Sequence, residues 1–349
     1  MKTLSAPHNI SFGITNKCNL ACKHCLASST TGCREFSREM LLNIIHQIRD
    51  MKIFSVSIFG GEPFMSEHFH FVAEELGKCP LTISVNTNGT LIDREEADWL
   101  ARSKIRSYCI SIDGSCAEVH DAFRGQGSFD KVIRGIEEIK RIKRGITLSA
   151  ILTKFNYHDI ENMYKLSCEL GINSIRFNNV CYVGNAACYS DQILMTPAET
   201  FQSLDVVREL NKKYKNAITG SVMTQVEILD KLREAPPTFE FPLMVSPCGA
   251  AMKQCAIRPD GKVVPCEIIW DCVAGDLYET SLKDIWLNSP VMNQFREPAY
   301  LQAEEIAECV NCEYLRLCYL GHRCQPYHNP GKFMNKKLYC IKEEVFNTL

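Results

Sequence analysis

The sequence predicts an α/β fold built on a parallel sheet, followed by a small cysteine-rich region. Six apolar or alternating runs of four to seven residues are interleaved with segments of helical periodicity. That pattern stops near residue 235, at the proline-rich stretch APPTFEFPLMVSP. The 19 cysteines of the 349-residue chain are clustered: three at 18–25, three at 248–266 and five at 309–340.

The strands read in order are NISFGIT, IFSVSIF, LTISV, SYCISI, ITLSAIL and SIRFN. Helices fall between and after them. SREMLLNIIHQIRD puts Leu41, Ile44, Ile45 and Ile48 on one face, and SEHFHFVAEEL does the same with Phe69, Val72 and Leu76. DREEADWLA opens on Asp93 with Glu96 three residues on, a capping box. FDKVIRGIEEIKRIK carries Val132, Ile136 and Ile139. YHDIENMYKLSCELG carries Ile160, Met163 and Leu166 and stops at Gly171. TPAETFQSLDVVRELNKKY opens on Thr196, Pro197 and Glu199, a cap, a first-turn proline and the box position. Such alternation fits either an open doubly wound sheet or a partial barrel, and function in both gathers at the C-terminal ends of the strands. After Cys248 only YETSLKDIWLNS and PAYLQAEEIAE read as helical, so the tail is expected to need staples such as bound metal clusters.

Length suggests roughly two domains, and a hydrophobic content of 46% supports a sizeable core. Lys plus Arg is 39 against 41 for Asp plus Glu, a net charge of -2, so nucleic acid is not an expected partner. There is no signal peptide and no apolar run long enough to span a membrane, which leads to the expectation of a cytoplasmic protein without a membrane partner. In that compartment clustered cysteines point to metal ligation rather than disulfides.

The first cluster is CNLACKHC, with Cys18, Cys22 and Cys25 spaced C-x3-C-x2-C. A structural zinc site wants four ligands, and only Cys33 or His24 is near enough in sequence to be the fourth. A [4Fe–4S] cluster held by three thiolates instead leaves one iron open to a substrate or cofactor.

CNLACKHC resembles the cysteine motif of radical S-adenosylmethionine enzymes, and its context extends the resemblance. FGGEP (Phe59–Pro63) follows the second strand, NTNGT (Asn86–Thr90) the third and SIDGS (Ser111–Ser115) the fourth, with HDAFRG bringing Arg124. The resemblance implies a partial (β/α)6 TIM-like barrel over residues 8–235. It implies that the open iron chelates S-adenosylmethionine, whose cleavage yields a 5'-deoxyadenosyl radical. Glu62, on the glycine loop of Gly60 and Gly61, would take the cofactor's ammonium group. Ser111 and Arg124 would take its carboxylate, Ile151 would pack its adenine, and His24 and Asn88 would complete its surroundings.

The tail, residues 236–349, resembles the SPASM extension, which binds two auxiliary [4Fe–4S] clusters. The resemblance assigns Cys248, Cys255, Cys266 and Cys324 to one cluster and Cys309, Cys312, Cys318 and Cys340 to the other, making three clusters in all. His322 stands where the family has a cysteine; Cys324, two residues later, is taken as the ligand, with His322 as the alternative.

Enzymes with this tail resemble peptide and protein maturases, including anaerobic sulfatase maturases. The expected reaction is therefore oxidative modification of a peptide or protein: a crosslink, a thioether or a dehydrogenation. The alternatives are a dehydrogenase or epimerase of a small molecule such as a sugar or cofactor precursor, and a non-enzymatic iron–sulfur electron carrier. Glu267, directly after Cys266, is a candidate general base, with an ordinary structural glutamate as the plainer reading and Asp271 as a weaker candidate. Cys181 and Cys188 follow the sixth strand and are candidate hydrogen-atom donors; Asn178, Asn179 and Tyr182 are candidates for the substrate rim. The first strand begins near residue 9, leaving no room before it for a leader-binding domain, so the expectation is either a separate leader-peptide-binding protein as partner or a small substrate. A flavodoxin or ferredoxin is expected as the reducing partner.

Overall fold

The computed structural model describes residues 3–28, 35–181, 183–214, 218–234 and 249–296. Six strands lie where the sequence places them: β1 (Asn9–Thr15), β2 (Ser55–Gly60), β3 (Thr82–Thr87), β4 (Ile105–Ser111), β5 (Gly145–Leu152) and β6 (Ile175–Asn179). Each pairs in parallel with the next in sequence. The order never reverses, which removes the doubly wound alternative, since that fold needs a switch in direction.

Four short strands were not anticipated. β7 (Ile218–Thr219) extends the sheet beyond β6. β8 (Gln254–Ile257) pairs in parallel with the opposite edge, setting Ile10 against Cys255. β9 (Lys262–Val264) and β10 (Gly275–Asp276) continue from it antiparallel. The result is a mixed ten-stranded sheet running from β10 to β7, and among the described residues it does not close into a barrel.

The helices are α1 (Arg38–Asp50), α2 (Phe69–Gly77), α3 (Arg94–Arg102), α4 (Ala117–Arg124), α5 (Ser128–Arg141) and α6 (Ile160–Glu169). After β6 come α7 (Asn185–Cys188), α8 (Ser190–Ile193), α9 (Pro197–Tyr214) and α10 (Ser221–Glu234), then α11 (Leu282–Asn288) and α12 (Pro290–Arg296) in the tail. Ser37 caps α1 by accepting from the Met40 N–H. Thr196 and Glu199 form both halves of the expected box on α9. On α3 only half of the box forms. Asp93 accepts from the Glu96 N–H, but the Glu96 carboxylate turns to His70, at 2.9 and 3.0 Å.

Parallel strands linked by right-handed crossovers advancing one way put their helices on one face. The alternation of side chains follows. Phe12, Ile58, Val85, Ile110, Leu148 and Phe177 are fully buried in one core with Leu41, Ile44, Ile45 and Ile48 of α1. The alternate positions on the other face are small or polar and half-buried: Ser11, Ser57, Ser84, Cys109, Ser111, Ser149 and Asn178. One sheet thus has an apolar face for packing and a polar face for a ligand.

The described part of the tail depends less on staples than its sequence suggests. Ile257, Val263 and Trp286 belong to the main core. Trp286 Nε1 donates to the Leu4 carbonyl at 2.7 Å, and the Leu282 N–H donates to Gln47 of α1 at 2.6 Å. The predicted helix over 298–308 lies outside the described residues.

Gly135 of α5 packs directly on the turn after β3, where an added Cβ would fall 2.2 Å from the Gly89 carbonyl oxygen. That oxygen belongs to backbone with little room to retreat. Gly135→Ala is therefore expected to cost about 1–3 kcal/mol, read as a lower urea midpoint at unchanged slope; an unchanged midpoint would contradict this packing.

Candidate active site

β1 leads into the cysteine loop, and several contacts fix that loop. Glu35 accepts from Thr15 Oγ1 at 2.7 Å and from Lys17 Nζ at 3.0 Å. Asn88 Nδ2 donates to Asn19 Oδ1 at 2.9 Å, tying the loop to the end of β3. Asn185, at the start of α7, donates its N–H to the Cys25 carbonyl at 2.9 Å and its side-chain amide to the Cys22 carbonyl at 3.1 Å. Nothing in the sequence marked Asn185 apart from the glycine before it. A Cβ at Gly184 would meet the Leu26 and Cys25 carbonyl oxygens at 2.4 and 2.5 Å.

Gly60 and Gly61 serve the chain as well as any ligand. A Cβ on either would lie 2.2 Å from a carbonyl oxygen, that of Thr15 or Lys17. The close approach these glycines allow is to the backbone that opens the cysteine loop. Glu62 is fully buried beneath the glycines and is not among the residues that face the cavity. It accepts from Thr87 Oγ1 at 2.7 Å, the Asn88 N–H at 2.7 Å and the Phe64 N–H at 3.3 Å. Burial outweighs these bonds and pushes its carboxyl up to about 7.

Asp113 is the residue that sequence reading undervalued, because Asp-Gly looks like an ordinary turn. It is fully buried. One oxygen accepts from the Ile151 N–H at 2.8 Å. The other accepts from Arg124 Nε at 2.6 Å and lies 3.3 Å from His24 Nε2. Arg124 Nη2 also stands 3.3 Å from His24 Nε2. Burial works against the Arg124 charge, but Asp113 outweighs it and holds the guanidinium above its usual pKa. Burial pushes His24 down to about 4, so the ring is neutral at neutral pH and its contact with Asp113 is not an ion pair.

These groups meet in a cavity of about 390 Å³ at the C-terminal ends of the strands. Cys18, Cys22, Cys25, His24, Gly60, Gly61, Asn88, Ser111, Arg124, Ile151, Cys181 and Glu267 all line it, as do Asn178 and Asn179. Glu267 arrives from the tail beside β8, and Ser11 of β1 donates to its Oε2 at 2.9 Å. Burial, with help from Glu267, pushes the Cys181 thiol up to about 12, so it stays protonated at neutral pH. Cys109 of β4 is half-buried and faces the cavity. Cys188 is exposed on α7, away from this group, and Asp271 is exposed as well. Cys255 and Cys266 are buried, with Gln254 Nε2 donating to Cys266 Sγ at 3.3 Å. Tyr182, Cys33, Cys248, Cys309, Cys312, Cys318, His322, Cys324 and Cys340 lie outside the described residues.

The residues present fit an iron–sulfur cluster with a bound cofactor. Three unbridged thiols on one loop face one cavity. Burial pushes the Cys22 thiol up to about 11, an environment that a metal bond to the thiolate would relieve. The buried His24 Nδ1 has no partner among the described residues. No group of three His, Cys, Asp or Glu side chains among the described residues is arranged to hold a single metal ion.

Asp113→Asn leaves a buried guanidinium without its counter-charge and puts an amide donor against other donors. It is expected to lower stability by about 3–5 kcal/mol in urea unfolding. A loss under about 1 kcal/mol would put the pair in the class of exposed, weakly coupled ions.

Comparison with known proteins agrees with this geometry. The sequence matches the Radical SAM superfamily over residues 12–167 and the iron–sulfur cluster-binding domain SPASM over residues 248–313. It is 30% identical over 322 residues to the mycofactocin maturase MftC of Mycolicibacterium smegmatis, covering 90% of this chain and 78% of that protein. It is 26% identical over 347 residues to the AdoMet-dependent heme synthase of Methanosarcina barkeri, covering 97% of each. The fold is shared with Streptococcus suis SuiB bound to the precursor peptide SuiA, at a TM-score of 0.75 and 18% identity, over 98% of this chain and 76% of that one. It is shared too with anSMEcpe bound to AdoMet and the Cp18Cys peptide, at a TM-score of 0.72 and 21% identity, over 98% and 96%. Cysteine loop, glycine turn, buried arginine and tail thus agree with the sequence matches: the chain belongs to the radical SAM superfamily, as an enzyme with a C-terminal SPASM domain.

Proposed function

We propose that this enzyme oxidatively modifies a peptide or protein at the cavity described above. The observation that carries the proposal is that a single cavity collects the cysteine loop, Ser111, Arg124 and Ile151 together with Glu267 from the tail. Cys18, Cys22 and Cys25 would hold a cluster that, when reduced, would supply the electron for reductive cleavage of S-adenosylmethionine and so for hydrogen abstraction from the substrate.

The chain's residues have distinct proposed roles. Cys18, Cys22 and Cys25 hold the cluster. Arg124, kept charged and oriented by Asp113, takes the cofactor carboxylate with Ser111. Ile151 packs the adenine. Glu62, engaged by Thr87 and Asn88, holds the glycine turn in place; its direct contact with the cofactor ammonium is a weaker reading, because it is buried beneath that turn. Glu267 would take the substrate proton while the substrate radical gives its electron to a cluster held by the tail, with Ser11 orienting the carboxylate. The finer architecture proposed is a partial (β/α)6 TIM-like barrel over 8–235, with the tail from 236 holding two further [4Fe–4S] clusters. Cys248, Cys255, Cys266 and Cys324 are proposed for one, and Cys309, Cys312, Cys318 and Cys340 for the other. A flavodoxin or ferredoxin in the cytoplasm would supply the electron, and a separate protein would present a leader peptide.

The relatives named for peptide maturation and peptide binding support a peptide substrate. The heme synthase match, which spans 97% of both chains, supports a second reading on a small cofactor precursor. Redox-neutral epimerisation has support in Cys181, a protonated thiol at the cavity wall suited to returning a hydrogen atom. Cys188, exposed away from the cavity, is not proposed for that step.

Two measurements test the proposal. Iron and sulfide should each approach about twelve per chain, four for each cluster; about four each would remove both auxiliary clusters. Glu267→Gln should slow product formation roughly tenfold to a hundredfold or more, the usual range for losing a general base, with little effect on hydrogen abstraction measured by deuterium transfer into 5'-deoxyadenosine. Equal slowing of both would remove its role as base.

A further inference from the structure

Two arginines and no lysine line the cavity. Arg124 is neutralised by Asp113 at 2.6 Å. The side chain of Arg176, on the polar face of β6, is exposed at the cavity rim and makes no hydrogen bond or ion pair with any other described residue. The less exposed Arg208 and Arg258 are paired with acids, Arg208 with Asp205 and Asp230 and Arg258 with Asp260. We propose that Arg176 anchors a carboxylate of the substrate, an inference that rests on the proposed function and names the chemistry its substrate must carry.

The sheet register places this cation. Ser111 pairs with Ser149, and Ser149 with Arg176, so the three lie in one row across β4, β5 and β6. Two strand spacings, roughly 10 Å, separate Arg176 from Ser111. A cofactor carboxylate held by Ser111 and Arg124 therefore leaves Arg176 for a second ligand. That ligand is a carboxylate rather than a phosphate dianion. The cavity offers one uncompensated guanidinium, and a guanidinium fork matches a carboxylate in two parallel hydrogen bonds. Glu267, held by Ser11 of β1, gives the cavity an acidic group from the other end of the β1–β6 series. A substrate with a carboxylate at one end is drawn toward Arg176 and away from Glu267, which fixes its direction in the cavity. In a peptide the group is the C-terminal carboxylate or an acidic side chain.

The test uses reconstituted holoenzyme with S-adenosylmethionine, kept anaerobic. Phenylglyoxal labelling of Arg176 is read by peptide mass spectrometry, with Arg176→Gln identifying the signal. The probes are N-acetylglycine, its neutral amide N-acetylglycinamide, and inorganic phosphate. N-acetylglycine at millimolar concentration should slow labelling about threefold or more, with the amide inert and phosphate weaker. Protection by S-adenosylmethionine alone, equal protection by acid and amide, stronger protection by phosphate, or no protection by any probe would each overturn the assignment. The same preparation is assayed for 5'-deoxyadenosine. Its absence fails the proposed function, whereas its formation without protection by N-acetylglycine fails only the anchor.

Discussion

The site is organised around a carboxylate that has no access to water. Asp113 accepts from Arg124 of α4 and from the backbone of Ile151 on β5, and the ring of His24 in the cysteine loop lies 3.3 Å from it. A buried charge is tolerated only when its partners are all in place. Asp113 therefore requires the cysteine loop, α4 and β5 to hold one mutual arrangement. Arg124 gains from the same constraint: it is fixed and charged at the cavity wall before any ligand arrives, and need not be reorganised on binding.

The sheet supplies the second constraint. Because β1–β6 largely alternate, most apolar positions are used up by the helices and most polar ones are left facing the cavity. Pairing of β8 with β1 then brings the tail to that cavity without a hinge, through four residue pairs from Asn9–Gln254 to Phe12–Ile257. Glu267 reaches the wall by this route and meets Ser11. The parallel sheet and the described part of the tail are therefore continuous in hydrogen bonding, although the proline-rich stretch between them reads as a boundary in the sequence.

Strong periodicity and dense motifs were legible in the sequence. The six main strands and the helices carrying Ile44, Ile136 and Met163 announce themselves because one face of each must be apolar. The cysteine loop, the glycine turn, Ser111, Arg124, Ile151, Cys181 and Glu267 were all named in advance and share the cavity. Short elements were not legible. β7 has two residues and β9 three, too few for any period. Asp113 and Asn185 were missed because their roles lie in partners distant in sequence. Glu96 chose His70 over its own helix terminus for the same reason.

The account stands on an iron left open by Cys18, Cys22 and Cys25. Electron–nuclear double resonance on the reduced enzyme, with S-adenosylmethionine labelled at its amino nitrogen, reads that vacancy directly. The account predicts a resolved coupling between the labelled nitrogen and the cluster spin, lost in Cys22→Ala. A cluster signal unchanged by the cofactor, with no coupling to the label, would contradict it.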